Sequence, residues 1–477
     1  MMLNSAPPLF INRLKEINLI RDKLNILKKK KYLFSFIVTI LGIPGIGKTT
    51  LLKQAKQEAE TLDIETIWID CENGAAKGNS IYILQKIADA FFRSATSWQK
   101  ALKFYRESQE GSRHRANLEP IVWAFVDNFK ICLEETPVVL LIDNSYRLDE
   151  AGQKVLEEVL KHLYPSNQLL IILAGRADIR WRSSELRRRT QAITLDSFPK
   201  KEFINLLPNP DYASLTDQVY AVTRGYPLAS VKAYEWVLDH LQPSADDLSD
   251  HFKAREAELI FDLFHQIFEM YILGGIDNPE TRYTLSRLLS YISPLRRFDD
   301  NLLAALLREI DPQNFEHTNT LDARSYTRLM AARTYMVKWD SAKQAYALDD
   351  PIRQLLSLEM KFRDTDRLMQ IHQFTLNWYQ DAIDKVTAKD SSAPQSVIYL
   401  LEFIFHLVHL RQLQGQLSQI EAEIKQKLIK LFSEYYMRER IHFQEEFNRD
   451  QNLPELLGEI YNRLTEFVAH QVEFGKQ

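Results

Sequence analysis

The sequence predicts an α/β fold, a five-stranded parallel sheet flanked by helices, followed by an extended helical region. Five apolar runs of strand length alternate with helical stretches, at residues 34–41, 64–69, 137–142, 169–174 and 192–195. Runs of this kind, rich in β-branched residues, are typical of strands buried on both faces of a parallel sheet. A glycine-rich turn follows the first run, and amphipathic stretches continue towards the end of the chain. Together these observations predict a doubly wound sheet with helical domains after it.

Length and composition are those of a soluble protein with several domains. The chain has 477 residues, of which 45% are hydrophobic and 26% charged, and this length exceeds what one core accommodates. Its net charge of −4 excludes a global field that draws it to nucleic acid or to an anionic membrane. The two cysteines, Cys71 and Cys132, show no metal or redox spacing. We expect a cytoplasmic protein without a membrane segment.

A glycine-rich loop follows the first predicted strand and leads directly into a strong helix-forming segment. The sequence GIPGIGKTT, residues 42–50, contains the pattern G-x-x-x-x-G-K-[ST] and one extra glycine. Glycines let the backbone N–H groups approach a polyphosphate, the lysine neutralises its charge, and the first threonine hydroxyl binds Mg²⁺. An ordinary turn between strand and helix is the alternative. The residues expected to hold a nucleotide here are Gly42, Gly45, Gly47, Lys48, Thr49 and Thr50.

A carboxylate ends the strand predicted at 137–142. Asp143 stands where ligands bind in open α/β sheets, and with Thr49 it is the predicted Mg²⁺ ligand. A helix cap is the alternative interpretation. The next residue is Asn144, an amide, which cannot accept a proton from water at neutral pH. Asp149 and Glu150 follow closely as possible substitutes, and we expect slow hydrolysis of ATP.

An arginine follows the strand predicted at 169–174. If this strand lies between the strand ending in Asp143 and the strand before the glycine loop, Arg176 reaches the γ-phosphate edge of the site. A surface arginine is the alternative. Lys48, Asp143 and Arg176 are therefore the predicted catalytic residues.

With this loop and strand order, the chain resembles the STAND class of P-loop ATPases, relatives of the NB-ARC and apoptotic ATPase families. That class begins its nucleotide-binding domain with two hydrophobic residues followed by Gly-Arg-x-x-Glu. FINRLKE matches at Phe10, Ile11, Arg13 and Glu16, with Asn12 in place of glycine. The resemblance implies that this segment covers the adenine and ribose side of the nucleotide, so that Arg13 and Glu16 belong to the binding site.

From the residues alone, the same segment is a core-packing helix that begins after Asn12. Its spacing predicts one apolar face, which comprises Leu14, Ile17, Ile20, Leu24 and Leu27.

Two later segments extend the resemblance. TRGYPLAS contains Gly225 and Pro227 and is similar to the Gly-x-Pro motif of the family's helical lid, which implies that Pro227 packs near the adenine. A turn that opens a helix is the alternative. Three helices and a hairpin then predict a winged-helix domain. The family's Met-His-Asp motif aligns with residues 348–350, and Asp349 replaces the histidine, which implies a weakened contact with ADP.

Four domains follow from these interpretations. They are a nucleotide-binding domain at 8–198, a helical lid at 199–275, a winged-helix domain at 276–352 and a helical C-terminal region at 353–477. In the last region, His406 and His409 lie three residues apart on an apolar face, and we interpret them as core residues rather than metal ligands.

The function implied by the resemblance is an ATP/ADP switch that requires Mg²⁺. Because few residues precede the N-terminal motif, we expect the effector or the sensor on another protein, or self-assembly of this chain. An ATP-controlled DNA-binding protein is one alternative, since Arg324, Arg328 and Arg333 fall on the predicted third helix of the winged domain and residues 176–189 contain six arginines. A scaffold that binds ATP without hydrolysing it is another, motivated by Asn144.

Overall fold

The computed structural model describes residues 13–72, 79–111, 118–164, 167–203, 210–242, 248–389 and 394–474. The chain divides into two compact units. The first, which we call the sheet unit, comprises Met1–Thr216 and Gly225–Tyr234. The second, the helical unit, comprises Asp217–Arg224 and Glu235–Gln477. The predicted division into four domains remains a prediction.

A five-stranded parallel sheet forms the core of the sheet unit, as the sequence predicts. Its strands are β1 (Ile37–Leu41), β2 (Glu65–Asp70), β3 (Val138–Asp143), β4 (Leu169–Gly175) and β5 (Thr190–Thr194). They lie in the order β2-β3-β4-β1-β5. The position considered for the strand predicted at 169–174, between the glycine-loop strand and the aspartate strand, is the one that the structure shows, since β4 pairs with both β1 and β3. All residues of β3 and β4 are buried, which explains their continuous apolar sequences.

Helices cover this sheet. They are α1 (Leu14–Lys28), α2 (Lys48–Thr61), α3 (Tyr82–Phe91), α4 (Thr96–Gly111), α5 (Glu119–Glu135), α6 (Glu150–Leu163), α7 (Ser184–Arg189) and α8 (Lys200–Phe203). Two further helices pass from one unit to the other along the chain, namely α9 (Thr216–Thr223) and α10 (Pro227–His240). The structure corrects two sequence predictions, one about the apolar face of α1 and one about the start of β1. Leu14 is 63% exposed and lies outside the apolar face of α1, and Phe34 is 57% exposed and precedes β1.

The carboxyl ends of the parallel strands meet at one edge of the sheet. Asp70 at the end of β2 pairs in register with Asp143 at the end of β3, and Leu41 at the end of β1 pairs with Gly175 of β4. This edge is where open α/β sheets bind their ligands. The predicted Mg²⁺ ligand Asp143 and the glycine loop after Leu41 therefore share one edge.

The helical unit contains the remaining elements. Its helices are α11 (Leu248–Leu263), α12 (Pro279–Ile292), α13 (Asp300–Ile310), α14 (Pro312–Phe315), α15 (Thr320–Thr334), α16 (Asp350–Arg363), α17 (Thr365–Lys389), α18 (Pro394–Leu413), α19 (Ile420–Glu434), α20 (Met437–Arg449), α21 (Leu453–Leu457) and α22 (Glu459–Phe474). A π-helical segment, Phe264–Ile272, follows α11. The predicted hairpin is present as β6 (Val337–Asp340) and β7 (Ala345–Leu348), and Phe298 forms an additional bridge to Tyr346.

One helix of this unit has a composition that a membrane span would share. Among the described residues, Gln395–Leu413 alone is long and apolar enough to cross a membrane, and 61% of that window is buried inside the structure. Its buried polar residues bond within the unit, since Glu402 accepts from arginines and His406 contacts His372. These are the properties of a core helix.

A buried ion cluster fixes α18 within the helical unit. Arg296 pairs with Glu402 at 3.1 Å and with Asp450 at 2.7 Å, and all three side chains are at most 6% exposed. Arg297 adds a second contact to Glu402 at 2.7 Å. Because buried charges are tolerated only when compensated, loss of one member leaves its partners in an unfavourable environment.

We predict that Arg296→Met lowers the free energy of unfolding of the helical unit by about 3–5 kcal/mol, because Asp450 loses its buried partner. Arg324→Met is the matched control, since Arg324 forms a surface pair with Asp300 at 3.1 Å. The control is expected to cost about 0–1 kcal/mol. Differential scanning calorimetry measures both. Equal effects of the two substitutions would contradict the structural role of the cluster.

Candidate nucleotide site

The glycine loop between β1 and α2 encloses open space. Gly45 has φ +74° and Gly47 has φ +101°, both in the left-handed region that glycine adopts most readily. A Cβ atom added to Gly47 would meet no atom within 4 Å, so the space beside this residue is free. The backbone N–H groups at the start of α2 add the positive end of the helix dipole. This geometry fits a polyphosphate chain.

Lys48 is the first residue of α2, and its side chain forms hydrogen bonds with the backbone of the loop. Its Nζ atom donates hydrogen bonds to the carbonyl oxygens of Gly42, at 2.8 Å, and Ile43, at 2.7 Å. Burial and then the like charge of Arg176 lower the pKa of Lys48, Asp143 opposes this shift, and the resulting pKa is about 8. The two predicted catalytic partners therefore lie close enough to influence this ammonium electrostatically.

Two side chains from distant parts of the sequence also form hydrogen bonds with the backbone of the loop. The hydroxyl of Tyr226 donates to the carbonyl oxygen of Pro44, and this tyrosine is only 1% exposed. Arg13 donates to the carbonyl oxygen of Ile46 at 3.3 Å and to that of Asp196 at 2.5 Å. In a planar peptide unit the carbonyl oxygen and the N–H group point in opposite directions. Because these donors hold the carbonyl oxygens of Pro44 and Ile46, the N–H groups of the same peptide units point the other way and are available to a ligand.

The predicted magnesium ligands are hydrogen-bonded to each other. Thr49 Oγ1 donates to Asp143 Oδ2 at 2.8 Å, and the backbone N–H of Asn144 donates to Asp143 Oδ1 at 2.9 Å. Burial raises the pKa of Asp143, and the hydrogen bonds from Thr49 and Asn144 oppose that shift. A hydroxyl and a carboxylate at this distance are oxygen ligands of the kind that Mg²⁺ takes beside a nucleotide. The residues thus fit a magnesium nucleotide.

A second carboxylate, not singled out from the sequence, lies beside this pair. Asp70 Oδ1 accepts from the side chain of Asn144 at 2.9 Å and from the backbone of Glu72 at 2.9 Å. Within the described ranges, no partner is found for its other oxygen, Oδ2. The amide at position 144, which cannot act as a base, orients a carboxylate on the neighbouring strand instead. The signal in the sequence was a second strand that ends in aspartate.

The two acids suggested as substitutes have other partners. Asp149 Oδ1 caps α6 by accepting from the backbone N–H of Gly152 at 2.7 Å. Glu150 is exposed and pairs with Arg182. Both residues have local structural roles in this structure, and Asp70 is the better placed acid.

Arg176 follows β4 at the same edge of the sheet. Its guanidinium lies 4.8 Å from the ring centre of Tyr146, and the side chain is partly exposed. Its charge is the second cause, after burial, of the lowered pKa of Lys48. Arg176 therefore lies near enough to Lys48 to affect its pKa, and the catalytic roles of Lys48, Asp143 and Arg176 remain predictions.

Arg13 and Glu16 begin α1. Their side chains are 3.8 Å apart, and the Arg13 guanidinium lies 4.5 Å from the ring centre of Phe198. Phe10 and Ile11 of the same motif, and the proposed cap Asn12, lie outside the described residues. Arg13 thus contacts the backbone of the glycine loop. Its predicted contact with the nucleotide remains a prediction.

The segment around Pro227 lies against the glycine loop. Pro227 opens α10, as expected for proline at the first helical position. Its neighbours make the contacts: a Cβ atom added to Gly45 would lie 2.6 Å from the Tyr226 hydroxyl and 2.8 Å from Leu228. Sequence reasoning selected Pro227 and overlooked Tyr226, because nothing in a single sequence identifies the partner of a buried tyrosine.

Asp349 belongs to the helical unit. It precedes α16 and accepts from Lys338 Nζ of the hairpin at 3.2 Å. Its backbone N–H donates to the carbonyl oxygen of Met336 at 2.9 Å. The predicted contact of Asp349 with a nucleotide remains a prediction.

One of the three arginines of α15 considered for DNA binding, and a lysine of the hairpin, are paired with acids. Arg324 pairs with Asp300 at 3.1 Å, and Lys343 of the hairpin pairs with Glu446. Arg328 is exposed on α15. These pairs reduce the positive field that phosphate binding requires.

In the sheet unit, the arginines of residues 176–189 also have separate surroundings. Arg182 pairs with Glu150, and the Arg189 guanidinium lies 4.3 Å from the ring centre of Phe34. Two of the six arginines therefore already have partners within the sheet unit.

Comparison with known proteins agrees with this site. Residues 36–182 match the family described as "AAA domain". This part of the chain, with its glycine loop and the aspartate of β3, is similar to that family. A search of the curated proteins finds no match.

Several solved structures are similar in fold. They include a Walker-type ATPase of Pyrococcus abyssi, with 14% identity and a TM-score of 0.42, covering 70% of this chain and 94% of that one. Cdc6p from Pyrobaculum aerophilum has 12% identity and a TM-score of 0.37, covering 75% and 97%. AMPPCP-bound DnaA from Aquifex aeolicus has 14% identity and a TM-score of 0.34, covering 67% and 94%. With identities and TM-scores this low, the similarities carry no functional argument.

We predict that affinity for MgATP falls as the pH rises through about 8, because the pKa of Lys48 is lowered to about 8 and phosphate oxygens bind the ammonium form. Below that pH the ammonium is present, and above it binding requires uptake of a proton. The dissociation constant at pH 9 is expected to be about tenfold weaker than at pH 7. Isothermal titration calorimetry measures this change.

Lys48→Arg is the control for this prediction, because a guanidinium stays charged over the whole range. Its affinity is expected to depend little on pH, whatever its absolute value. A wild-type affinity that is constant between the two pH values would contradict the assignment.

Proposed function

We propose that this chain is an ATP/ADP-operated switch of the STAND type, with slow ATP hydrolysis, that controls self-assembly or a protein partner. The ligands are ATP or ADP with Mg²⁺, held by the glycine loop, Lys48, Thr49 and Asp143. The γ-phosphate distinguishes the two states, and Arg176 is the residue that reads it. The resemblance of the N-terminal and Gly-x-Pro motifs to that class supports the subclass, and the element order of residues 279–348 supports its winged-helix domain.

The observation that carries the proposal is the attachment of α10 to the glycine loop. Tyr226 bonds to Pro44, and Leu228 lies against Gly45. The same helix continues beyond Tyr234, where the chain enters the helical unit. A change in loop conformation with the state of the phosphates therefore acts on the first turn of a helix that both units share.

The difference in binding free energy between ATP and ADP must be large enough to shift the equilibrium between the two states. Moving an equilibrium from about 1:99 to about 99:1 takes roughly 5.5 kcal/mol of differential affinity. A hydrogen bond that involves a charged group contributes about 1.5–3 kcal/mol. Two or three contacts made with ATP and lost with ADP, for which Lys48 and Arg176 are the candidates, suffice.

Hydrolysis in this proposal uses Asp70 as the general base. Asn144 holds one oxygen of Asp70, and the other is available to a water molecule near the magnesium ligands Thr49 and Asp143. A carboxylate at an exposed sheet edge is a weak base, so slow turnover follows. Slow hydrolysis suits a switch, because the ATP state then persists long enough to act on a partner.

We predict that MgAMPPNP and MgADP give the full chain different assembly states or different protease-sensitive sites. Size-exclusion chromatography with light scattering and limited proteolysis measure the two differences. Tyr226→Phe is expected to bind both nucleotides and to show a smaller difference between them, because it loses a contact worth about 1 kcal/mol. Tyr283→Phe, at a side chain that is 63% exposed, is the control. Identical behaviour with both bound nucleotides would exclude the switch.

We predict that Asp70→Asn lowers the rate constant of ATP hydrolysis by on the order of 10²-fold while the dissociation constant for ATP stays nearly unchanged. Glu150→Gln is the matched control and should hydrolyse ATP like the wild type. A single-turnover assay with labelled ATP gives the rates. If the wild type releases no more phosphate than Lys48→Ala, the chain is the non-hydrolysing scaffold. A normal rate for Asp70→Asn would exclude Asp70 as the base.

A further inference from the structure

The helical unit contains a cavity of about 520 Å³. It lies where α16, α17, α18 and the beginning of α21 meet, with Arg224 from the end of α9 at its side. This volume falls within the range of roughly 300–1,000 Å³ that is typical of small-molecule sites. All of its lining residues belong to the helical unit, and none of them belongs to the glycine loop.

The cavity lining carries an excess of positive charge. It includes Arg224, Arg353 and Lys361 but a single acid, Glu455, and that acid already pairs with Arg224. Arg353 bonds to Asp350 at 2.6 Å, a partly exposed carboxylate outside the lining. No acid pairs with Lys361 within the part of the chain that the structure describes. Two cations therefore face the cavity without an acid of the lining as partner.

Two neutral imidazoles, those of His372 and His409, line the cavity. His372 Nδ1 lies 2.9 Å from His406 Nδ1, and the ring of His409 stacks on His372 with 5.0 Å between centres. No described residue forms a hydrogen bond with His409. Burial lowers the pKa of His409 well below its usual range, and electrostatic interactions with His372 and with the charged Arg353 lower it further. A neutral imidazole offers one donor and one acceptor.

An aromatic wall completes the site. Phe405 is 3% exposed, and its ring lies 4.4 Å from that of His409 and 5.8 Å from the Arg353 guanidinium. Phe362, 39% exposed, also lines the cavity. Ligand sites combine such an apolar wall with a few convergent polar groups.

We propose that this cavity binds a small organic phosphate with a planar head, of the chemical class of a nucleoside monophosphate. The phosphate, which carries a charge of about −1.5 to −2, matches the two cations Arg353 and Lys361. His409 hydrogen-bonds a polar group of the ligand, and Phe405 forms the apolar wall beside its head. The ion cluster around Arg296 gives the contrast, because every charge there already has a partner inside the protein.

The test uses AMP as the probe and the full chain carrying Lys48→Ala, so that the phosphate lysine of the glycine loop is absent. Titration calorimetry is expected to show binding of AMP, and adenosine, which lacks the phosphate, is expected to bind at least tenfold more weakly. Adding Lys361→Ala, at an exposed position, should weaken AMP binding about tenfold, which corresponds to about 1.4 kcal/mol. Lys430→Ala, an exposed lysine of α19 outside the cavity, is the matched control and should leave the affinity unchanged.

A second variant shows whether weaker binding could result from a folding defect. Arg353→Gln, checked by its melting temperature, should weaken AMP binding at least as strongly as Lys361→Ala. The proposal is overturned if AMP fails to bind, if adenosine binds as well as AMP, or if both substitutions leave the affinity unchanged. Because the glycine loop is disabled throughout, none of these outcomes bears on the nucleotide switch.

Discussion

The orientation of the peptide groups in the glycine loop is the constraint on which the candidate site depends. A peptide unit is planar, so a carbonyl oxygen fixed on one side directs the N–H group of the same unit to the other. Here Tyr226, Arg13 and Lys48 bind the carbonyl oxygens of Pro44, Ile46 and Gly42, each in a peptide unit that carries an N–H group. Lys48 also binds the carbonyl oxygen of Ile43, whose peptide unit has the nitrogen of Pro44 and no N–H group. Lys48 is the first residue of α2, and Tyr226 and Arg13 immediately precede α10 and α1, so the shape of one short loop depends on the positions of three helices. The same dependence lets the state of the loop influence those helices.

The helical unit contains charged groups in two different settings. Around Arg296, guanidinium and carboxylate groups neutralise one another in a nearly water-free core, and the cluster fixes the packing of α18. At the cavity, Arg353 and Lys361 lack an acid of the lining as partner, and His409 lacks a hydrogen-bond partner among the described residues. A polar group without a partner inside a protein, such as the His409 imidazole, costs free energy, and a bound ligand that pairs with it recovers that cost. Compensation within the protein thus separates a structural cluster from a candidate ligand site.

Much of the sheet unit could be predicted from the sequence because its signals are local. Strands buried on both faces need continuous apolar residues, and for this reason the run that ends in Asp143 had the boundaries expected of it, within one residue. The loop pattern identified Lys48 and Thr49 because phosphate binding requires glycines and a lysine at fixed spacing. The position of Arg176 followed from chain order, since β4 could lie beside the loop strand. Phe34 was misplaced because an apolar residue next to a strand need not be buried.

By itself, the sequence determined the fold class, the glycine loop and the acid at the end of β3, because each of these depends on residues that are neighbours along the chain. Only the tertiary structure decided that Tyr226 bonds to the loop and that Asp70 lies beside Asn144, and only it revealed the cavity around His409. These features join residues that lie far apart in the chain. Hydrogen bonds and cavities form between surfaces, and packing determines which surfaces meet, so their partners cannot be identified from the pattern of a single segment.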